Sequence, residues 1–268
     1  MNDTILFTIL GFVQGLTEFL PVSSTGHLVL AREWLGVTSS YGLAEDAVLH
    51  LATALAVLVY FRNDIKALII GSFQALQKRE KNKESTVAVA LIIGTIPAVV
   101  FGLLFESALE TTFRGPSVVA LALIVGSFIF LGAEWLGRRT EKKEDITVGK
   151  GFLIGLFQVL ALVPGMSRSG MVISGGLLLG LSRFEAARFG FLLSFPVILG
   201  AGVLKLYELL QTGALSIEGG GLVWGALAAF VSGMVAIHVL LQFVRTHSLM
   251  PFVIYRFILA GVILLFLV

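Results

Sequence analysis

The chain has 268 residues, 57% hydrophobic and only 13% charged, against about 25% charged residues in soluble domains; this is the composition of a chain that lives in lipid. It has no cysteine, which excludes a disulfide framework and a thiolate metal site. The net charge is +2 and the basic residues gather in short loops, which argues for membrane orientation and against nucleic-acid binding.

The N-terminus, Met1-Asn2-Asp3-Thr4, lacks a basic n-region and a small-residue cleavage site, so no removable signal peptide is expected. The first apolar stretch, 4–36, is long enough to cross a bilayer but is broken at Pro21 and the cluster Ser23-Ser24-Thr25-Gly26-His27. Proline cannot continue a helix, and the serines after it suit a new N-cap. A spanning segment, 45–62, leads into a basic loop, 62–84, that holds Arg62, Lys66, Lys78, Arg79, Lys81 and Lys83. Spans 85–105 and 117–137 follow, joined by loop 106–116 with Arg114 as its basic residue. The second basic loop, 138–150, carries Arg138, Arg139, Lys142, Lys143 and Lys150. Stretch 150–181 repeats the pattern of the first: apolar sequence broken at Pro164-Gly165-Met166-Ser167-Arg168-Ser169-Gly170. Spans 188–210, 221–244 and 251–268 complete the chain, with Arg245 after the fifth.

Lysine and arginine collect on the cytoplasmic side of membrane proteins. Two spans separate the basic loops, so both fall on one face, while loops 106–116 and 211–220 are expected outside. An odd number of crossings must then join 138–150 to 211–220. Span 188–210 supplies one, so 150–181 contributes none or two and is expected to enter and return on the same side. Irregular backbone at that depth is tolerated where protein or water covers it.

The halves also resemble each other. Gly11-Phe12-x-x-Gly15-Leu16 matches Gly151-Phe152-x-x-Gly155-Leu156, Ser23-x-Thr25-Gly26 matches Ser167-x-Ser169-Gly170, and Gly36 falls opposite Gly180. Each half holds one hairpin and three spans, an odd number, so the second half is expected to be inverted and the two hairpins to meet near the midplane. The expected fold is an all-α polytopic membrane protein: six transmembrane helices plus two re-entrant helix hairpins arranged as inverted-topology repeats, about 4–137 and 150–268, in a single integral membrane domain, 1–268.

The breaks carry the chemistry. Gln14 and Glu18 share one helical face towards the first break, and Ser24 and His27 share a face just after it. Ionisable groups inside a membrane segment mark function by default. Arg168, between two hydroxyls at a helix start, combines a planar fork of donors with free N–H groups, an arrangement suited to phosphate. Elsewhere, His50 reads as a packed or hydrogen-bonded histidine rather than a ligand, and His238 and His247 as interfacial. Arg183 and Arg188 read as solvated partners of Glu185. Arg256, with Tyr255 beside it, either lines the site or pairs with a carboxylate.

Gln14-x-x-x-Glu18 with Pro21-Val-Ser-Ser-Thr-Gly-His27, together with Pro164-Gly-x-Ser-Arg-Ser-Gly170, resembles the paired motifs of the undecaprenyl-diphosphate phosphatase, or bacitracin-resistance, family. Segments 51–62 and 189–206 and Tyr255-Arg256 are also similar to that family, so the likeness covers nearly the whole chain. The resemblance implies hydrolysis of undecaprenyl diphosphate to the monophosphate carrier of cell-wall synthesis, and with it bacitracin resistance. It implies Ser24 as nucleophile, His27 as its neighbouring base or acid, Glu18 as ligand of a divalent cation (Mg or Ca) or proton carrier, and Arg168 as phosphate clamp. Gln14, Ser23, Thr25, Gly26, Ser167, Ser169 and Gly170 would line the pocket. It further implies a bacterial inner-membrane location, a site facing the outer side and a polyprenyl diphosphate lipid partner, and leaves room for a homodimer. Attack by His27 or by water remains open beside attack by Ser24, and a polyprenyl-phosphate flippase is the alternative function. Two positions depart from the family pattern: Gln14, where many members carry Glu, and Val172, where Thr is usual.

Overall fold

The computed structural model describes residues 2–37, 42–113, 115–137, 145–211 and 221–268. Arg114, Arg138, Arg139, Lys142, Lys143 and residues 212–220 of the loop expected outside lie outside the described residues. Every element among the described residues is helical.

Helix α1 (Asp3–Phe19) starts at Asn2, whose side chain accepts from the Thr4 amide, and stops at Leu20, which the following Pro21 holds extended. Helix α2 (Ser24–Leu35) then begins on Ser23 as N-cap and ends at Gly36, in the left-handed conformation that favours glycine. The second broken stretch is built alike: α8 (Val148–Leu160), a break, then α9 (Arg168–Leu178) capped by Ser167 and followed by Gly180 at φ +83°. Both stretches are thus helix, break, helix, as the prolines and serines require.

Five helices are long and apolar enough to span a bilayer: α5 (Lys83–Leu104), α7 (Pro116–Gly137), α10 (Arg183–Gln211), α11 (Gly221–Thr246) and α12 (Met250–Leu267). The protein is an integral membrane protein. The sixth expected span, 45–62, is α3 (Gly42–Tyr60), whose apolar part Asp46–Tyr60 is shorter than the others. It packs centrally against α10 and α11, with Ala54, Ala56 and Val57 fully buried. The expected loop 62–84 is largely helix α4 (Arg62–Lys78). Its charges sit near its ends, its apolar middle (Ile69, Phe73, Leu76) is exposed, and Asn82 Nδ2 ties it to α5 by donating to the Gly71 carbonyl at 2.7 Å. Loop 106–116 likewise contains a short helix, α6 (Glu106–Thr111).

Helix α1 packs along α11, α8 along α5, α7 against α12, and α9 against α7 and α10. Small residues permit the closest approaches. A Cβ at Gly11 would lie 2.0 Å from the Gly225 carbonyl oxygen, and one at Gly155 only 2.1 Å from that of Gly94. The main core gathers Phe19, Phe61, Phe130, Phe189 and Phe191, with Phe19 and Phe191 edge to face. Apolar side chains such as Ile92, Leu121, Phe128, Val239 and Ile258 point outwards, a surface suited to lipid.

One end of the bundle is polar. Lys83 meets Asp145 at 3.3 Å, Arg245 lies over the Phe184 ring, and a cavity of about 1200 Å³ opens there. The three basic segments therefore converge, as their shared orientation required. The solvated Arg183–Glu185 pairing does not form: Arg183 clamps the buried Glu134 through Nε and Nη2. Arg188 reaches Glu185 but also pairs with Asp64 of α4.

Candidate active site

The two breaks meet. Ser169 Oγ donates to the carbonyl of Leu20 at 3.0 Å, and Arg168 Nη1 reaches Glu18 Oε1 at 3.0 Å. The last turn of α1 and the first turns of α2 and α9 thus enclose one polar pocket. Its floor is Gln14 and Glu18, both buried, and its half-buried mouth is Ser24, Thr25, His27 and Arg168.

Both N-cap serines adopt the same unusual backbone: Ser23 at φ 73°, ψ 100° and Ser167 at φ 72°, ψ 113°. Positive φ is costly for a residue with a side chain and persists where surrounding structure over-determines it, as at ligand sites. Each serine recovers part of that cost through its hydroxyl, which accepts from Gly26 N at 3.4 Å and Gly170 N at 3.2 Å respectively. A helix start leaves its first N–H groups without intrahelical acceptors. Here Ser24, Thr25, Arg168 and Ser169 therefore present main-chain donors at one place, each at the positive end of a helix dipole.

Glu18 is the hub. Its Oε2 accepts from Gln14 Nε2 at 3.0 Å and from Ser24 Oγ at 2.8 Å, while Oε1 holds Arg168. Ser24 is therefore oriented by Glu18. His27, expected to reach Ser24, bonds elsewhere among the described residues: Nδ1 with the Ser23 carbonyl and Nε2 with the Tyr255 hydroxyl, both at 2.7 Å. A carbonyl can only accept, so Nδ1 carries the proton and Nε2 accepts from Tyr255. The two rings stack nearly parallel.

Two residues of this pocket fall outside the sequence-based site. His50 Nδ1 lies 2.8 Å from Gln14 Nε2 and 3.8 Å from Glu18 Oε2, so of its two expected readings the hydrogen-bonded one holds, and it borders the pocket. Tyr255 comes from the far end of the chain. A polar residue in each apolar span was the available signal, but spacing within a span says nothing about which distant break it faces. Val172 is fully buried in the main core, against Gly190, so no hydroxyl is missing from the pocket wall there. The residue standing to Gly151 as Glu18 stands to Gly11 is Gln158. It is buried, accepts from Ser194 Oγ at 3.4 Å, and leaves its Nε2 without a partner.

For a divalent cation, the residues fit a site shared with a ligand rather than a cage. No group of three or more His, Cys, Asp or Glu is placed to hold a metal among the described residues. Gln14 Oε1, however, is buried without a hydrogen-bond partner, next to the Glu18 carboxylate. Magnesium typically takes one or two protein oxygens and completes its shell with water and phosphate.

Residues 7–262 match the family described as bacitracin resistance protein BacA. Undecaprenyl-diphosphatase of Myxococcus xanthus is 45% identical over 262 residues, covering 97% of this chain and 87% of that one. Those of Rubrobacter xylanophilus (42% over 266 residues, 98% of each chain) and Alteromonas mediterranea (41% over 258 residues, 96% of each) are similarly close. With paired breaks, near-complete coverage and these identities, the chain belongs to the BacA bacitracin-resistance family.

Proposed function

We propose that this chain is a membrane phosphatase that hydrolyses undecaprenyl diphosphate to undecaprenyl phosphate and inorganic phosphate, recycling the lipid carrier for cell-wall polymers. The observation that carries the reading is the joining of a hydroxyl, a carboxylate and a guanidinium, Ser24–Glu18–Arg168, across two helix starts. Phosphoryl transfer needs positioning and charge stabilisation above all, and this pocket supplies both.

Arg168 and the N–H groups of the two breaks bind the terminal phosphate, and Thr25, Gly26, Ser169 and Gly170 shape its seat. Ser24 Oγ attacks the β-phosphorus, forming the Oγ–P bond as the bond to the bridging oxygen breaks, and its proton passes along the existing hydrogen bond to Glu18. Undecaprenyl phosphate leaves; water then attacks the phosphoserine, returning the proton to Ser24 and releasing phosphate. Tyr255 and the Ser23 carbonyl fix the His27 ring beside the mouth, and the ring exchanges protons with the departing oxygen through the Tyr255 hydroxyl bonded to Nε2. A Mg or Ca ion held by Gln14 Oε1 and Glu18 would add Lewis-acid neutralisation of phosphate charge.

The two halves are read as inverted repeats whose broken helices are re-entrant hairpins. Supporting this, α1 approaches α11 through Gly11 and Gly15 as α8 approaches α5 through Gly151 and Gly155. The cap serines share their dihedral angles, and each second helix ends at a positive-φ glycine. Helix α3 is read as the sixth crossing, and the pocket as opening to the outer face of the bacterial inner membrane, away from the basic end. The pocket is complete within one chain, so the reading needs no homodimer.

The test is release of inorganic phosphate from a polyprenyl diphosphate by the purified protein with Mg, followed by quenching in alkali and in acid. Phosphate on Ser24 supports the route above, and acid-labile phosphate on His27 would replace Ser24 as the attacking group. Tight binding of the lipid with no phosphate release would overturn hydrolysis in favour of a carrier.

A further inference from the structure

Arg256 is fully buried in the middle of apolar α12. Nε donates to Ser127 Oγ at 3.0 Å, and Nη2 faces the carbonyl oxygens of Leu123 and Gly165 at 3.2 and 3.4 Å. All of these acceptors are neutral. No carboxylate pairs with it among the described residues, and Nη1 has no hydrogen-bond partner. The surroundings are fitted to the guanidinium: a Cβ at Gly126 would lie 2.4 Å from Nη2. Gly165, at φ +100°, lets the second break lie against α7, where a Cβ would meet the Val119 carbonyl at 2.4 Å.

A charge taken out of water and answered only by dipoles is expensive, and inside a membrane protein such a group marks a site where counter-charge arrives. The position of Nη1 says where. A Cβ built on Gly170 would lie 3.4 Å from Nη1 and 3.3 Å from Ser167 Oγ, so the unanswered N–H groups lie beneath the anion-accepting turn that opens α9.

We infer that Arg256 is the second cation of the phosphate pocket, a positioning residue under the Ser167–Gly170 turn whose charge is answered by substrate phosphate. This rests on the phosphatase reading. Buried as it is, Arg256 does not touch the substrate. It acts by holding the Gly165 carbonyl, which fixes the break, and by adding its field to that of the α9 N-terminus. With Glu18 and Arg168 already paired, Arg256 gives the side chains of the pocket one positive charge in excess. A diphosphate answers that excess more fully than a monophosphate, so the charge favours substrate over product.

Full-length wild type, R256Q and R256K in detergent decide it, with inorganic pyrophosphate as probe. Melting temperature is measured without ligand, pyrophosphate affinity by its thermal stabilisation, and KM and kcat on the lipid substrate. R256Q is expected to bind pyrophosphate about tenfold more weakly (about 1.4 kcal/mol) and to raise KM more than it lowers kcat. Its ligand-free melting temperature should change little, because the desolvation cost of the buried charge disappears together with its hydrogen bonds to Ser127, Leu123 and Gly165. R256K keeps the charge without the fork and should restore most of the affinity. Wild-type affinity in R256Q, or equal loss of affinity in both variants with a lowered melting temperature, would reduce Arg256 to a structural staple. Should R256Q not fold, R256K decides by itself: retained affinity supports the charge, lost affinity overturns it. Failure of the phosphatase reading looks different, because then wild type itself releases no phosphate from the lipid substrate, whether or not it binds pyrophosphate.

Discussion

Glu18 makes more directed contacts than any other side chain in the pocket, with Arg168, Gln14, Ser24 and His50 around it. The E18Q substitution keeps the shape but removes both the proton acceptor for Ser24 and the counter-charge of Arg168. We expect kcat to fall by about 10²–10⁴-fold, the usual contribution of a positioned acid or base, with the folded protein still recoverable. His50 stands behind Glu18, bonded to Gln14 Nε2 at 2.8 Å. H50L should lower kcat roughly tenfold or more by loosening Gln14 and with it Glu18, while KM changes little. H50Q, whose side-chain oxygen can accept from Gln14, should recover much of that loss; equal loss in both would mean that the imidazole itself is needed. That Ser24, Glu18 and Arg168 come together was legible in the sequence, because several polar groups clustered at paired helix breaks point to one shared site. His50 and Tyr255 were not, because one polar residue in an apolar span is ordinary until its neighbour across the bundle is known.

Among the elements, the breaks were the most legible, since Pro21 and Pro164 stop helices and serine caps restart them. Helix α4 was the least: its charged ends resembled an orienting loop, and only packing on α5 and an exposed apolar middle make it a helix. The repeated Gly-x-x-x-Gly pattern could be seen in the sequence, but its meaning needed the partners, α11 for one half and α5 for the other. There the backbones touch, and a side chain has nowhere to go. G155L should therefore destabilise the fold by about 1–3 kcal/mol or more, seen as a lower melting temperature in detergent, whereas the same change at Gly149, with open space around its Cβ position, should cost far less. Removing the cap hydroxyl in S167A should cost about 0.5–2 kcal/mol and weaken pyrophosphate binding as the α9 start loosens. A wild-type melting temperature would show the positive-φ serine to be held by other contacts.

At the scale of the whole molecule, the gathering of basic residues at one end predicts an orientation that labelling can check. The chain has no cysteine, so single introduced thiols report without background. K81C should react only after the membrane is opened, and E106C with an impermeant reagent on intact cells. The reverse pattern would turn the protein over and place the pocket on the inner side. The likeness between the two broken stretches extends into the folded chain, where their cap serines share dihedral angles and a positive-φ glycine follows each second helix. Where one half carries Glu18, the other carries Gln158, equally buried but without charge. Arg168 in turn stands where the first half has Ser24. The two similar breaks thus differ in charge: one brings the carboxylate and the hydroxyl, the other the guanidinium that the carboxylate holds at 3.0 Å.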